Sequence, residues 1–245
     1  MKSLGYGKGL HARMPSLTWQ CDPQVDTVAA AYGGPSAVVV DLGAGGRRIV
    51  PHVIAVDVAR LPGTDVAARV EQLPFADGSV DLVFATGLLE HVLDERPVLD
   101  EIARVLRPGG RVHVELPFLQ HYHDDPIDSR RYTGPGLVRL LEQHGFAPES
   151  SGCHIGPTVG LLMMLSYYAQ LLVEGPGRTR RLLANAAFLA VRLVGWPLKF
   201  LDEWLVKKPS AHRLACGVYC TARKPEAAPP RAVTARPRRA LATVG

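Results

Sequence analysis

Apolar positions along this chain fall into short runs, and stretches with helical spacing separate these runs. The runs that predict strands are 38–42, 53–56, 64–70 (the weakest), 81–85, 111–116, 146–155 and 214–222. Apolar residues three and four positions apart predict helices at 24–32, 97–106 and 136–144. Runs of β-branched residues bounded by glycines are typical of parallel strands buried on both faces. The pattern therefore predicts an α/β fold built on a largely parallel sheet.

The turn after the first predicted strand is the most informative local feature. The segment Val38-Val39-Val40-Asp41 runs into Leu42-Gly43-Ala44-Gly45-Gly46, and the second strand ends at Asp57. Glycines allow the backbone to approach a ligand closely, and a carboxylate at the tip of the next strand can accept hydrogen bonds from both ribose hydroxyls. These features together predict a nucleoside-binding edge of the sheet.

The same turn argues against a dinucleotide ligand. It does not fit the pattern G-x-G-x-x-G, because Arg48 stands at the third glycine. The residues Arg47, Arg48 and Pro51 leave little room for the long helix that meets a pyrophosphate. Asp41 is instead well placed to attract a cation such as an amino-acid ammonium. The turn favours an adenosyl ligand that carries an amino acid, and it disfavours a nicotinamide dehydrogenase.

Six blocks in order, from about Val38 to Phe146, resemble the class I S-adenosylmethionine-dependent methyltransferases, especially the methyltransferase type 11 family. The blocks are 41–45, Asp57, 73–75, 79–83, 89–92 and 104–110. The resemblance implies a Rossmann-like, doubly wound, seven-stranded and mostly parallel sheet. It also implies an antiparallel last strand, S-adenosyl-L-methionine as the cofactor, and an enzyme that transfers a methyl group.

The resemblance also assigns cofactor-binding roles to residues of this chain. They are Asp41, Gly43, Ala44, Gly45 and Thr86 at the methionine end, Asp57 at the ribose, and the region from Val70 to Leu73 at the adenine. The family usually has an aspartate shortly before Leu-Pro-Phe that pairs with the adenine amino group. Arg69 stands there in this chain and cannot accept a hydrogen bond. Adenine recognition is therefore expected to use backbone groups near Val70 and Glu71, or a nearby side chain.

The polar segment 118–133 follows the predicted strand 111–116, at the sheet edge where ligands bind. It resembles the signature His-x-x-Pro-x-Asp-x-x-Arg-Tyr-Thr of methyltransferases found with glycan-biosynthesis genes. The matching residues are His123, Pro126, Asp128, Arg131, Tyr132 and Thr133. Such a loop predicts contact with a hydroxylated or anionic acceptor.

Three interpretations of this loop remain open. In the favoured one the acceptor is bound by His121, Asp128, Arg131 and Tyr132, and His123 is the general base. In the second, Arg131 and Asp128 pair within a structural loop. In the third, His121, His123 and Asp124 bind a metal, although neighbouring ligands on one loop rarely complete a coordination sphere. We predict no metal. For Glu90 and His91 a structural role is favoured over acid–base catalysis.

Residues 156–211 form an apolar insertion between the sixth and last predicted strands. No charged residue except His154 lies between Glu149 and Glu174, and 182–205 is amphipathic. Gly156, Pro157 and Gly160 are expected to shorten the first helix of the insertion. The helices can cover the acceptor site, lie on a membrane surface, or span a membrane. These three possibilities stay open, with a cover favoured.

These patterns give a domain organisation of four parts. A lead-in at 1–34 precedes a methyltransferase core at 35–155 and 212–223, which encloses the insertion at 156–211. A basic tail at 224–245, rich in proline and alanine, is expected to be disordered. Its five basic residues and one acid give the tail a net charge of +4. The whole chain has a net charge of +5, so the rest of the chain has 5 − 4 = +1. A nearly neutral folded part disfavours nucleic-acid binding.

The sequence predicts a methyltransferase with a small-molecule, glycan or lipid-linked acceptor, and with direct in-line transfer. A non-catalytic scaffold protein of the same fold at a membrane-associated assembly is the alternative. Four cysteines without metal-binding spacing and an amino terminus without an apolar segment favour a cytoplasmic protein. Contact with the inner membrane surface through 156–211 and the tail is a further possibility.

Overall fold

A computed structural model describes residues 20–21, 25–34, 36–123 and 127–226. Seven strands form one sheet in the order β3-β2-β1-β4-β5-β7-β6. The strands are β1 Val39–Leu42, β2 Ile54–Asp57, β3 Val66–Ala67, β4 Val80–Thr86, β5 Leu106–Pro117, β6 Ala147–Ile155 and β7 Gly217–Arg223. The first five pair in parallel, and β7 lies antiparallel to both β5 and β6. The predicted fold class is confirmed.

Helices cover both faces of this sheet. They are α1 Val25–Tyr32, α2 Glu95–Val105, α3 Gly134–Gln143, α4 Pro157–Val173, α5 Arg178–Gly195 and the short α6 Asp202–Leu205. Three 3₁₀ segments lie at Leu89–His91, Trp196–Leu201 and Ala211–Arg213. The apolar stripes of α2 and α3 pack on one face, against alternate residues of β1, β4 and β5. The opposite face packs against α1 around Leu82 and Phe84.

Three predicted strands, the third, the fifth and the last, have clearly different bounds in the structure. The third contains only Val66 and Ala67, because only Val56 and Asp57 of β2 pair with it. The fifth begins at Leu106 rather than at residue 111, since Leu106 pairs with Val80 and a bulge follows. The last strand begins at Gly217 rather than at 214, where a 3₁₀ turn precedes it. Element bounds were therefore less predictable than element order.

The insertion forms a hairpin of two long helices. Its first helix, α4, begins at Pro157 and runs through Gly160 to Val173, so the expectation that these residues shorten it was wrong. Gly160 is tolerated because it lies against the sheet, where a Cβ would be 3.1 Å from that of Cys216. A Cβ on Gly195 of α5 would come within 2.4 Å of Leu162, so small residues let the two helices pack closely.

The amino end of α4 is held by a side chain from far along the sequence. Gly156 supplies no capping side chain, and the buried Asp202 accepts hydrogen bonds from the Thr158 and Val159 amides at 2.8 and 3.0 Å. We expect Asp202→Ala to lower the free energy of unfolding by about 2–4 kcal/mol, because two buried donors lose a charged acceptor. Asp202→Asn, which retains one acceptor oxygen, should lose about half of this in urea denaturation. Equal stability of all three proteins would contradict this role.

The carboxyl-terminal boundary at 224 needs a correction. The Lys224 amide donates to the Gly110 carbonyl at 2.8 Å, and its Nζ donates to the Ala103 and Leu106 carbonyls at 2.7 Å. Lys224 therefore binds the end of α2 and extends the sheet pairing beyond β7. The predicted disorder of the tail concerns residues 227–245, which lie outside the described residues, as do 1–19 of the predicted lead-in.

Candidate active site

The residues predicted to bind the cofactor lie at one edge of the sheet. Strands β1, β2, β4 and β5 are parallel, so their carboxyl ends meet there. Asp41 and the glycine turn follow β1, Asp57 ends β2, and Thr86 ends β4. Open α/β sheets bind ligands at this edge, at the point where the order of the strands in the sheet reverses.

The glycine turn is fixed by hydrogen bonds to the end of β2. The Gly43 and Ala44 amides donate to the Val56 carbonyl at 2.9 and 3.1 Å. Gly43 and Gly45 have φ of 70° and 59°, a backbone conformation that residues with a side chain rarely adopt. A Cβ on Gly43 would also lie 2.9 Å from Leu88. The turn is therefore built before any ligand arrives.

Asp41 is a buried carboxylate without a partner. It is fully buried, and neither of its oxygens accepts a hydrogen bond from any described residue. Burial raises its pKa to about 7, although the nearby Arg47 guanidinium opposes this, and Glu115 and Asp57 add to the rise. A buried acceptor without a donor is costly unless a ligand supplies one. Asp41 therefore fits a cationic ligand group such as an ammonium.

Asp57 connects the turn to the end of β2. Its Oδ2 accepts from the Gly45 amide and its Oδ1 from the Ala59 amide, both at 2.8 Å. A carboxylate oxygen can accept more than one hydrogen bond, so both oxygens retain capacity for ribose hydroxyls. The amides fix the carboxylate in place. This geometry fits the role implied for Asp57 by the resemblance.

The predicted adenine region is only partly open to a ligand. The Leu73 amide donates to Glu101 at 2.6 Å, so it is already engaged, and the Leu73 side chain is buried. Arg69 points to a surface ion pair with Glu71 at 3.2 Å. Val70 packs partly buried against the main core. Adenine contact through the Leu73 amide would require that hydrogen bond to break.

A pocket of about 280 Å³ opens beside the turn, between the ends of β4 and β5. Its lining includes Gln20, Arg47, Thr86, Gly87, Glu90, His91, Glu115, Gln120, His123 and His154. The Thr86 hydroxyl is buried without a partner among the described residues. Arg47 and Glu115 are also the pocket side chains whose charges act on Asp41. The predicted methionine end of the site and this pocket are therefore neighbours.

Glu115 is held ionised inside the pocket wall. It accepts hydrogen bonds from Gln20 and His113, both at 3.2 Å, and His154 lies 3.8 Å away. Burial disfavours its charge, but the hydrogen bond from His113 and the nearby imidazoles keep its pKa below the ordinary value. The pocket therefore contains a fixed negative charge opposite the Arg47 guanidinium.

Glu90, His91 and His123 come together on the acceptor side of the pocket. Their potential ligand atoms all lie within 4.8 Å of one another, and His91 Nε2 is 3.8 Å from Glu90 Oε1. Burial raises the pKa of Glu90, whose Oε2 has no partner among the described residues. His91 Nδ1 contacts the Ile127 carbonyl, and His123 Nδ1 lies 3.2 Å from Asp128. Each imidazole therefore keeps Nε2 available.

This cluster offers three ligand atoms within 4.8 Å of one another, whereas a closed structural zinc site has four. Ligand atoms about 2.1 Å from a tetrahedral zinc ion would be roughly 3.4 Å apart. The spacing suits hydrogen bonds to an acceptor hydroxyl better. The predicted alternative set included Asp124, which lies outside the described residues, and His121, which stacks on Tyr167 at 4.1 Å. The structure thus brings Glu90 and His91 to His123, and the neighbouring His121 ring, 6.0 Å from that of His123, stacks on Tyr167.

Three of the four residues predicted to bind the acceptor have polar partners within the fold, whereas the buried Nδ1 of His121 has none among the described residues. Asp128 and Arg131 form a bidentate ion pair, one bond of which is 2.5 Å, and this holds the pKa of Asp128 at about 2 despite burial. The Tyr132 hydroxyl donates to Glu95 at 3.2 Å. Burial and nearby cations lower the pKa of His121 to about 4. None of the four lines the pocket, whereas His123 does.

The fold and this edge together define a class of protein. A Rossmann-like sheet with an antiparallel last strand, a glycine turn after β1 and an acid at the end of β2 fits an adenosyl amino acid. The buried oxygens of Asp41, without donors of their own, support that fit in particular. The class is that of the S-adenosylmethionine-dependent methyltransferases.

Comparison with known proteins agrees. Residues 35–114 match the family described as a methyltransferase domain, of type 11, so the predicted family and its cofactor, S-adenosyl-L-methionine, are confirmed for this segment. A demethylmenaquinone methyltransferase of Clavibacter sepedonicus is 32% identical over 141 residues, which cover 50% of this chain and 54% of that protein. A probable S-adenosylmethionine-dependent methyltransferase of Mycolicibacterium smegmatis is 33% identical over 100 residues, covering 38% and 39%. The matches thus span about half of these relatives or less.

Solved structures share the fold. The [4+2]-cyclase SpnF has a TM-score of 0.50 at 19% identity, over 82% of this chain and 79% of that one. A chain in the complex of the Haloferax volcanii Trm112 methyltransferase activator with a putative methyltransferase has a TM-score of 0.50 at 17% identity, covering 83% and 89%. Because one of these proteins is named a cyclase, the fold alone does not fix the reaction.

Several pocket residues were not predicted from the sequence. Arg47 was noted only as one of the residues that leave little room for a long helix, and Gln20 and Glu115 were not singled out. Glu115 carries a usable signal, since it is an acid near the end of an apolar strand in the alternation Val112-His113-Val114-Glu115-Leu116. An ionisable residue at that position points to the carboxyl edge of the sheet. No comparable pattern marks Gln20, which reaches the pocket through an isolated bridge to Ile155.

Proposed function

We propose that this chain transfers a methyl group from S-adenosyl-L-methionine to a hydroxyl of a small-molecule acceptor bound beside β4 and β5. The observation that carries the proposal is Asp41, a buried carboxylate without a donor next to a preformed glycine turn. The adjoining pocket, with Glu90, His91 and His123 on one side, supplies a place for the acceptor.

The chain's own residues would hold the two ends of the cofactor separately. Asp41 would bind the amino-acid ammonium, and the Arg47 guanidinium beside it would bind the carboxylate. Asp57 would accept the ribose hydroxyls, and the Thr86 backbone would border the methionine chain. When bound, the cofactor supplies an activated methyl group, so the protein mainly has to align the acceptor with it.

His123 is the residue we propose as the general base. Its Nδ1 lies 3.2 Å from the buried Asp128 carboxylate, which Arg131 keeps ionised. An oriented imidazole with a carboxylate behind it can accept a proton on the opposite nitrogen. The proton of the acceptor hydroxyl would pass to His123 Nε2 as the oxygen–methyl bond forms. Asp128 and Arg131 would act as positioning residues, which explains why they face each other rather than the pocket.

The acceptor class is tested by labelled methyl transfer. Cell extract incubated with the protein and methyl-labelled S-adenosyl-L-methionine is partitioned into lipid and aqueous fractions. Label in the lipid fraction would indicate a lipid-linked or quinone acceptor, for which the Clavibacter relative is named, and label in the aqueous fraction would indicate a glycan or other polar acceptor. Label in neither fraction above that of an Asp41→Asn control would overturn the proposal. Absence of cofactor binding would support the scaffold alternative.

Cofactor binding should depend on pH through Asp41. Its pKa of about 7 lies above the ordinary 3.8, so the folded protein disfavours the charged form of Asp41. The free protein therefore loses stability as the pH rises from about 4 to about 7. An ammonium needs the ionised form. Affinity should therefore increase through pH 7 and fall about tenfold per pH unit well below it. Calorimetric titrations between pH 5.5 and 8.5 test this, with Asp41→Asn expected to show no such midpoint.

A further inference from the structure

Exposed apolar side chains concentrate on the helical insertion. Sixteen of the twenty-one large apolar residues exposed among the described residues lie between 161 and 214. On α4 they follow a three- and four-residue spacing along one side, at Leu161, Met164, Leu165, Tyr168, Leu171 and Leu172. Soluble monomers rarely expose a contiguous apolar patch larger than a few hundred Å². This surface therefore needs a partner.

The second helix and the 3₁₀ segment after it continue the exposed surface. The exposed apolar residues of α5, this segment and the short α6 are Leu182, Leu183, Leu193, Val194, Trp196, Leu198, Phe200, Leu201 and Trp204. We call the exposed apolar residues of α4, α5, the 3₁₀ segment and α6 together the apolar face. Tryptophan and leucine on a helix next to cations are typical of helices that lie in a membrane interface. Both tryptophans contact a lysine, Lys199 at 4.9 Å from Trp196 and Lys208 at 3.9 Å from Trp204.

The opposite sides of the same helices are fixed to the protein. Asp202 binds the first turn of α4, and Tyr167 of α4 packs against Phe188 of α5 with ring centres 5.1 Å apart. Val159, Leu162 and Met163 are buried against Ile155 and Cys216 beside the sheet. The helices therefore cannot turn the apolar face inward without losing these contacts.

Positive charge lies at both ends of the apolar face. The exposed cations of this region are Arg178, Arg180 and Arg181 at the start of α5, and Lys207, Lys208 and Arg213 after α6. The exposed acids are Glu174 and Glu203, so the exposed charges sum to 6 − 2 = +4. Long basic side chains at the ends of an apolar stripe can reach anionic headgroups while the stripe enters the acyl region.

We propose that the apolar face docks on the surface of an anionic lipid bilayer, with α4 and α5 lying in the membrane plane. By length and composition, Arg178–Leu205 could also cross a membrane. Crossing would remove the buried Asp202 from the first turn of α4 and place Arg192, in the middle of that span, in hydrocarbon. Docking in the plane keeps these contacts and satisfies both the apolar face and its flanking cations.

Docking would bring the bilayer close to the pocket. Tyr167 of α4 stacks on His121, which is two residues from the pocket residue His123. Gly160 of α4 would place a Cβ 3.3 Å from the Leu119 carbonyl at the start of the same loop. One side of the insertion thus packs against this loop, and its opposite side, the apolar face, is exposed. An acceptor held in or near the bilayer would have a short path to the site.

Vesicle sedimentation of the full chain, without cofactor, tests the proposal. We expect binding to phosphatidylcholine vesicles that contain about 30% phosphatidylglycerol, and at least about tenfold weaker binding to pure phosphatidylcholine. Leu172→Glu with Val194→Glu should lose binding, whereas Leu93→Glu, at an 83% exposed leucine outside the insertion, should not. Arg180→Glu with Arg181→Glu should weaken binding at least about twentyfold, and Arg69→Glu should not.

Two further readouts separate the possible occupants. Trp196 and Trp204 should be quenched by lipids brominated near the headgroups more than by lipids brominated at the chain ends, and the reverse would indicate a spanning helix. Light scattering reports the oligomeric state. A stable dimer that the Leu172→Glu and Val194→Glu double variant dissociates, with no vesicle binding by the monomer, would assign the apolar face to a second copy and overturn the proposal. Folded protein that binds no vesicle would also overturn it. Neither outcome depends on methyl transfer.

Discussion

Asp41→Asn is expected to weaken S-adenosyl-L-methionine binding by at least about 100-fold, because removing one partner of a buried ion pair costs about 3–5 kcal/mol. The same change should raise the stability of the free protein at pH 8, since it removes a buried charge whose oxygens have no donor among the described residues. Isothermal titration and urea denaturation measure the two effects. Opposite signs for binding and stability distinguish a ligand-binding acid from a structural one.

A matched control is Asp100→Asn, which changes an acid whose side chain is 74% exposed and which contacts His144 on α3. It should leave both cofactor affinity and stability nearly unchanged. If Asp41→Asn binds the cofactor as tightly as the unmodified protein, the assignment of the ammonium to Asp41 is wrong. If Asp41→Asn is instead strongly destabilised, Asp41 has a structural role that the geometry does not show.

His123→Ala is expected to lower turnover about 10²- to 10³-fold with cofactor affinity unchanged, because a positioned base contributes about that much to proton transfer. Asp128→Asn should cause a smaller loss, since it leaves the imidazole in place but removes the carboxylate behind it. The measurement uses the acceptor fraction identified by labelled transfer, with initial rates and cofactor binding recorded for each variant.

Addition of free imidazole should partly restore His123→Ala and have no effect on the unmodified protein. His144→Ala is the matched control, because His144 lies on the far end of α3 against Asp100. Undiminished turnover in His123→Ala would remove it as the base. Loss of activity on chelation, restored by a divalent metal, would instead assign Glu90, His91 and His123 to a metal site, because their ligand atoms already lie within 4.8 Å of one another.

Local sequence was sufficient for the cofactor edge. Asp41 and Asp57 were predicted from a strand, a glycine turn and the next strand, because these features are close in sequence and a parallel strand pair aligns them. The cap of α3 is local in the same way, since the Thr133 Oγ1 accepts from the Gly136 amide at 3.1 Å. Strand bounds at β3 and β5 were wrong because the extent of pairing with the adjacent strand in the sheet, rather than local composition, sets them.

The acceptor side of the site could not be predicted as well, because its residues meet across long sequence separations. His91 contacts Ile127, and Ser129 donates to the Glu90 carbonyl, so two segments more than thirty residues apart form one cluster. The sequence offered Asp128, Arg131 and Tyr132 as acceptor-binding residues, but each has a polar partner in the fold. Only the packed loop shows that Asp128 and Arg131 pair with each other beside His123.

Three local features of the sequence determined the fold class and the cofactor of this protein: the order of the apolar runs, the glycine turn and the two acids at strand ends. Each of these features depends only on the backbone and on residues close in sequence. The tertiary structure alone decided which side of the insertion is buried, because Asp202 and the small residues Gly160 and Gly195 select one packing of its two long helices. It also decided which polar side chains of the loop reach the pocket. Such choices depend on partners distant in sequence, and no local pattern records them.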